Sequence, residues 1–173
     1  MRKFIIIFFL FIIPLYSFGQ IKRNIDGIIL GKSTKQEVVN YLKNRKLPYS
    51  FKKVGVYNAI LCNVPRSFGG VSWHSTIYIF YNNLVFQVSY SNTDYHLLKK
   101  EIDLCFVNLS MALQRKYSQY KITSSDRDNI EYKDSHTSIK LNRGYFENHY
   151  RLDVDYTDFQ LMEKSFMEGD DDL

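Results

Sequence analysis

The clearest hydrophobic pattern in the chain spans residues 71–91, where two runs rich in β-branched and aromatic residues flank Asn82 and Asn83. Asparagine accepts the positive φ angles of a two-residue hairpin turn, so the pattern predicts an antiparallel hairpin. Counting outward from the turn pairs residues on one face: Tyr81 with Leu84, Ile79 with Phe86, Ile77 with Val88, and Ser75 with Tyr90. The opposite face, which holds Tyr78 and Phe80, becomes polar away from the turn. We therefore expect a central hairpin that buries the first face.

A long helix is predicted directly after the hairpin. Thr93 and Asp94 suit the start of a helix, because their side-chain oxygens accept hydrogen bonds from free backbone N–H groups. Apolar residues then recur at helical spacing: Leu98, Ile102, Cys105, Phe106, Leu109 and Leu113. We expect this helix to cover the apolar face of the hairpin.

The order of the elements predicts an α+β fold. A short helix follows Ser33, with Gln36 at the capping-box position, and several β-rich runs come after it. The long helix is followed by further strands, of which residues 150–157 alternate strictly between apolar and polar. We expect antiparallel sheets covered by helices, in a tandem of two helix-plus-strands units. The predicted boundaries are 20–168 for the domain, and 20–92 and 93–168 for its half-units.

The first residues predict export. A positively charged start and an apolar stretch at residues 4–16 precede small residues just before Gln20. This is the pattern of a secretory signal peptide, here residues 1–19, and it predicts a periplasmic or secreted protein with no membrane span after cleavage. At the other end, residues 169–173 predict an acidic tail.

The charge balance narrows the class of partner. The formal net charge is +5, and removal of the signal peptide lowers it because Arg2 and Lys3 leave with it. Such a balance does not indicate a nucleic-acid partner. We expect another envelope protein as the partner, with a glycan or a lipid as the alternative.

Two cysteines, Cys62 and Cys105, are present in a chain that is predicted to reach an oxidising compartment. One is expected on a strand and the other on the inward face of the long helix, so a single bridge between helix and sheet is one alternative. Two buried free thiols are the other, because small buried cysteines are common in protein cores. The pattern leaves both alternatives open.

The residues that most often carry chemistry form no recognisable motif. No two of the four histidines, at positions 74, 96, 136 and 149, stand at metal-binding spacing, and no nucleophile elbow or phosphate-binding glycine loop occurs. The sequence therefore predicts a protein that is not an enzyme and that has no metal and no cofactor.

An excess of aromatic residues and a basic cluster indicate a contact surface instead. Tyr78 and Phe80 point away from the expected core face, so they either meet a second layer or form an exposed patch. We expect the contact surface to combine these two residues with the glycine-containing loop 65–70, including Arg66 and Phe68. A basic cluster lies at the end of the short helix and the start of the following strand: Lys43, Arg45, Lys46, Lys52 and Lys53. It suits either a solvated face or the binding of an anionic glycan, a lipid headgroup or an acidic partner.

Residues 25–42 resemble the opening of small envelope proteins of the SmpA/OmlA and β-lactamase-inhibitor-protein-like group. The resemblance lies in a Gly-x-Ser/Thr turn, here Gly31 to Ser33, that leads into a helix with the acidic-Val pair Glu37-Val38. It implies an α+β fold, sometimes duplicated in tandem, and a role in binding other proteins or supporting envelope assembly. The lipid-bearing members begin at a lipobox cysteine, which this chain lacks.

These observations predict an exported, non-catalytic binding or accessory module of the bacterial envelope that contacts a protein partner through a sheet face. A small-ligand-binding protein, for a glycan or a lipid, is the alternative. A small envelope hydrolase that uses His74 or His149 is a further alternative, although no motif supports it.

Overall fold

The computed structural model describes residues 21–92, 99–146 and 148–169. This part of the chain has the predicted α+β fold. Its helices are α1 (Lys35–Asn44), α2 (Lys99–Tyr117) and α3 (Phe159–Gly169). Its strands are β1 (Asn24–Ile25), β2 (Ile28–Ile29), β3 (Ser50–Val54), β4 (Tyr57–Cys62), β5 (Arg66–Phe68), β6 (Val71–Trp73), β7 (Ser75–Tyr81), β8 (Leu84–Asn92), β9 (Lys121–Ser125), β10 (Asn129–Lys133), β11 (Thr137–Phe146) and β12 (His149–Asp158).

Eight strands form one antiparallel sheet in the order β3-β4-β7-β8-β12-β11-β10-β9. Residues 50–92 supply the first four positions and residues 121–158 the last four, and the two sets meet where β8 pairs with β12. Two short ribbons, β1-β2 and β5-β6, stand outside this sheet. The main buried cluster joins these ribbons, α1 and α2 to one face of the sheet.

The hairpin of β7 and β8 forms at the predicted turn, where Asn82 and Asn83 have φ angles of 44° and 67°. Tyr81 pairs with Leu84, and Phe80 with Val85, as the pattern predicts. Beyond these pairs the predicted register is wrong by one residue. Ile79 lies opposite Gln87, so Phe86 is the extra residue of a β-bulge.

The bulge reverses the expected roles of the two faces of the hairpin. It lets Val85 and Val88, three residues apart, contribute to the same main core as Tyr78 and Phe80. The face of Ile79 and Phe86 instead forms a small second cluster, which is closed by residues of α3, Leu161 and Met162.

The expected position of the long helix is therefore wrong. Ile102, Phe106 and Leu109 of α2 are buried in the main core, and α2 contacts β11 and β12. It does not cover the face of Ile77 and Ile79, which is the face that α3 packs against. The helix packs on the side of the sheet with the larger continuous apolar face. Because of the bulge, this is the side opposite to the predicted one.

The short helix α1 begins one residue later than expected. Thr34, not Ser33, is its N-cap, and Glu37, not Gln36, completes the capping box. The Ser33 hydroxyl accepts a hydrogen bond from the backbone N–H of Ile29 at 3.0 Å. The apolar face of α1 packs into the main core, as its short length requires.

The two cysteines are free thiols, so the disulfide alternative is not what the structure contains. Cys62 is buried, and Cys105 is partly buried on α2. Burial raises the pKa of both thiols, so they stay protonated at neutral pH.

Some predictions fall on residues outside the described part of the chain. These are the signal peptide at residues 1–19, the helix start at Thr93 and Asp94 with the following Leu98, and residues 170–173 of the acidic tail predicted at 169–173. Within the described ranges, no helix has the length and apolar character that crossing a membrane would require.

Tyr78 and Phe80, which are 1% and 3% exposed, allow a direct test of the assignment of the core face. We expect Phe80→Ala to lower the free energy of unfolding by about 3–5 kcal/mol, and Tyr78→Ala by a similar amount, because each leaves a cavity. Urea denaturation measures the loss. The matched control is Tyr145→Ala, since Tyr145 is 62% exposed. Two core variants as stable as this control would contradict the assignment.

Gly31 and Gly55 form a second matched pair, because both have positive φ angles, of 72° and 57°. A Cβ atom at Gly31 would collide with the ion-paired side chains of Arg23 and Asp158, whereas a Cβ atom at Gly55 meets nothing within 4 Å. We expect Gly55→Ala to cost about 1 kcal/mol through backbone strain alone, and Gly31→Ala to cost clearly more. Thermal unfolding of the two variants measures the difference, and equal losses would contradict the collision.

Candidate functional site

A cleft of about 670 Å³ lies between the end of α1, the β1-β2 turn, the β5-β6 ribbon and the end of α2. We call it the Arg66 cleft. Its volume is within the usual range for small-molecule sites. Its lining residues are Lys22, Ile25, Asp26, Arg45, Leu47, Val64, Pro65, Arg66, Ser67, Phe68, Tyr90, Lys116 and Tyr156.

The β5-β6 ribbon positions Arg66 and Phe68 at the wall of the cleft. Its turn uses Gly69 and Gly70, both with positive φ angles that glycine adopts without strain. The indole N–H of Trp73 donates to the Phe68 carbonyl at 3.2 Å, and the two rings stack with centroids 4.9 Å apart. The buried indole therefore anchors the ribbon that carries Arg66.

Glycine at position 69 has a second role, because the ribbon lies directly against α2. A Cβ atom there would come within 2.6 Å of the Leu109 side chain. The ribbon thus packs against the middle of α2, and the last turn of the same helix supplies Lys116 to the cleft.

Asp26 faces Arg66 from the β1-β2 turn. Its φ angle is 55°, and Gly27 follows it with a φ angle of 95°. The Oδ2 atom of Asp26 accepts a hydrogen bond from Arg66 Nη1 at 2.8 Å and one from the Tyr90 hydroxyl at 3.1 Å. Arg66 Nη1 also donates to the Tyr41 hydroxyl at 3.4 Å. The β1-β2 turn and α1 thus bond the guanidinium directly, and β8 holds Asp26 in place through Tyr90.

Tyr78 lies beneath this network. Within the described residues, its hydroxyl and Arg66 Nη2 are buried without a hydrogen-bond partner. Burial raises the pKa of Tyr78, and the charge of Arg66 offsets only part of that effect. Burial also opposes the charge of Arg66, but its tyrosine neighbours outweigh this, so the pKa of Arg66 is raised. Arg66 is therefore a permanent cation, and Tyr78 is a neutral phenol at neutral pH.

Three more cations, Lys22, Arg45 and Lys116, surround the mouth of the cleft, and all are exposed. None of them forms an ion pair with another residue in the described ranges. The Arg45 guanidinium lies over the Tyr41 ring, 4.7 Å from its centroid. Asp26 is the one acidic side chain among the described residues of the lining. These residues therefore give the cleft an excess of positive charge, and its concave walls concentrate the resulting electric field.

Apart from Ser67, the rest of the lining is apolar or aromatic. The Phe68 and Tyr90 rings meet edge to face, with centroids 4.7 Å apart, and Tyr90 meets Tyr156 in the same manner at 6.4 Å. Burial raises the pKa of both Tyr90 and Tyr156, so their hydroxyls stay neutral. The cleft therefore combines cationic groups with uncharged ring surfaces.

The structure brings together two of the four residues predicted for partner contact. Arg66 and Phe68 line the cleft. Tyr78 and Phe80 do not form a contact surface, because the ribbons and helices of the main core cover them. Of the two alternatives for these aromatic residues, the second layer is correct.

Most of the cleft was not predicted, including Asp26, Lys116 and Tyr156. A charge pattern in the sequence points to part of it. From Val38 to Thr93 the chain contains no Asp or Glu. The same stretch has six basic residues: Lys43, Arg45, Lys46, Lys52, Lys53 and Arg66. Lys22 and Lys116 lie outside this stretch, and the fold alone brings them to the cleft.

The residues considered for catalysis lie elsewhere. Neither His74 nor His149 lines the Arg66 cleft. Among the residues that the structure describes, no three His, Cys, Asp or Glu side chains are grouped to hold a metal ion.

Comparisons with protein-family models, with curated proteins and with solved structures found no match to this chain. The similarity of residues 25–42 to the SmpA/OmlA and β-lactamase-inhibitor-protein-like group therefore stays a prediction.

Proposed function

We propose that this protein is an exported, non-catalytic binding module that holds a small anionic ligand in the Arg66 cleft. The observation that carries the proposal is the set of exposed cations Lys22, Arg45 and Lys116, which form no ion pair within the described ranges and surround the fixed cation Arg66. Cations without a counter-ion in a concave site favour the binding of an anion.

The shape of the site supports a small ligand over a flat partner surface. A volume of about 670 Å³ suits a ligand of drug-like or sugar-like size. Phe68 and Tyr156 offer ring surface beside the cations, so the ligand is expected to have an apolar or planar part next to its acidic group. An acidic sugar derivative and a lipid headgroup with its first carbons both have this chemistry.

The proposed compartment rests on residues 1–19, which have the pattern of a signal peptide. Binding without catalysis is proposed because Arg66, Asp26 and Tyr90 are occupied with one another. Arg66 is permanently charged, so it supplies attraction and position but not proton transfer.

Calorimetric titration with three small probes tests the ligand class. We expect phenyl phosphate to bind with a Kd on the order of 0.1–1 mM, because the small number of atoms in the ligand limits its affinity. Inorganic phosphate lacks the ring and benzyl alcohol lacks the charge, so both are expected to bind at least about tenfold more weakly. Raising the salt concentration is expected to weaken phenyl phosphate binding, because the attraction is electrostatic.

Two variants with the same change of charge test whether phenyl phosphate binds in the Arg66 cleft. Lys116→Glu reverses a charge at the cleft and is expected to weaken phenyl phosphate binding about tenfold, or about 1.4 kcal/mol. Arg115→Glu changes the adjacent residue of α2, which does not line the cleft, and is expected to have little effect. No saturable binding of any anionic probe, or equal effects of the two variants, would refute the proposal.

An acidic protein partner is a second candidate, because the cationic stretch from Val38 to Thr93 extends well beyond the cleft. Affinity capture from the envelope fraction, repeated with Lys116→Glu, tests it. A partner that is captured by the parent protein and lost with the variant would place the protein contact at the cleft. Capture by both proteins would place it elsewhere.

A further inference from the structure

The outer strand β3 presents a regular backbone edge. It lies at one end of the eight-stranded sheet and pairs with β4 alone among the described strands. All five of its residues, Ser50–Val54, are exposed. In an antiparallel pair, alternate residues of an outer strand point their N–H and C=O groups away from the sheet. β3 therefore offers hydrogen-bonding groups to an additional strand.

The two ends of the sheet differ in how regular they are. The pairing of β9 with β10 at the far end contains a register shift between Glu131 and Tyr132. The pairing of β3 with β4 has no such irregularity, and β3 contains no proline. Bulges and prolines are common means by which edge strands avoid further pairing. The β3 edge lacks both.

The side chains of β3 have their own pattern, Phe51-Lys52-Lys53-Val54. Phe51 is 57% exposed and Val54 is 39% exposed. Successive side chains of a strand point to opposite faces, so each face of β3 carries one lysine and one apolar group. A partner strand with complementary side chains would have the order apolar-acidic-acidic-apolar. This order is the same in both directions, so it suits a parallel or an antiparallel partner strand.

The charges select against a second copy of this chain. Pairing β3 with another β3 would bring Lys52 and Lys53 close to their equivalents, and like charges opposite each other are destabilising. The other outer strand, β9, has no acidic residue to offer. The stretch of chain from Val38 to Thr93, which contains β3, has no Asp or Glu.

We propose that β3 binds an extended acidic segment of a partner protein as a ninth strand of the sheet. Backbone hydrogen bonds supply attachment, Lys52 and Lys53 pair with acidic side chains, and Phe51 and Val54 contact the flanking apolar groups. The surface is separate from the Arg66 cleft, which no residue of β3 lines, so this proposal does not depend on the cleft.

The test uses labelled peptides with the core Val-Glu-Glu-Val, flanked by threonines, and fluorescence anisotropy with the purified protein. We expect saturable binding that weakens at least tenfold when alternate peptide bonds are N-methylated on the pairing edge. A peptide with lysines in place of the glutamates is expected not to bind. Hydrogen exchange is expected to slow at residues 50–54. The absence of saturable binding by the acidic peptide would overturn the proposal. Binding that N-methylation does not change would also overturn it, because electrostatic attraction alone would then explain the binding.

Two double variants with equal charge change separate the two surfaces. Lys52→Glu with Lys53→Glu is expected to weaken binding of the acidic peptide at least tenfold. Lys22→Glu with Lys116→Glu alters the Arg66 cleft and is expected to leave peptide binding within twofold. The reverse result would overturn the proposal. The cleft variant also tests phenyl phosphate binding, so failure of one proposal is distinguishable from failure of the other.

The chain's own acidic residues 170–172 are the rival occupant, because α3 ends near β4, where the Ser165 and Tyr57 hydroxyls are 2.8 Å apart. A variant that ends at Gly169 is expected to bind the peptide as the parent does. A tenfold gain in affinity on truncation would assign the edge to these residues and overturn the proposal of a partner.

Discussion

The extra residue in β8 decides which side of the sheet carries the main core. In a regular strand, Val85 and Val88 would point to opposite faces, because side chains alternate. The bulge at Phe86 brings both into the main core with Tyr78. That core then accepts α1, α2 and both ribbons, and the cleft lies between these elements. The smaller face is left to α3, which closes over Ile79 and Phe86.

This bulge also explains which parts of the fold were predictable. The turn at Asn82 and Asn83 follows from local backbone preference, and it forms as predicted. The bulge has no local signature, because Phe86 suits either face of an aromatic-rich strand. A one-residue error in register exchanges the two faces, and the predicted position of α2 was wrong for that reason. The fold class survives the error, because it depends on the order of elements and not on register.

The candidate site was predictable only where it is local in sequence. Arg66 and Phe68 belong to a glycine-containing segment that was expected to contact a partner, and they line the cleft. Asp26 and Lys116 are 90 positions apart in the numbering and reach the same cleft through the ribbon and the end of α2. No periodicity along the chain indicates such a meeting. The pairing of Asp26 with Arg66 is a product of tertiary structure.

The contact between β8 and β12 has a consequence for the order of folding. Most pairings in the sheet join strands that are close in sequence, but this one joins Asn92 to Leu152. Closing so long a loop costs conformational entropy before the new contacts stabilise the chain. The two four-stranded halves of the sheet, residues 50–92 and 121–158, are therefore expected to form first and to pair with each other last. Until the two halves pair, the edges of β8 and β12 lack their partner strands, and misassembly through these unpaired edges is most favoured at this stage of folding.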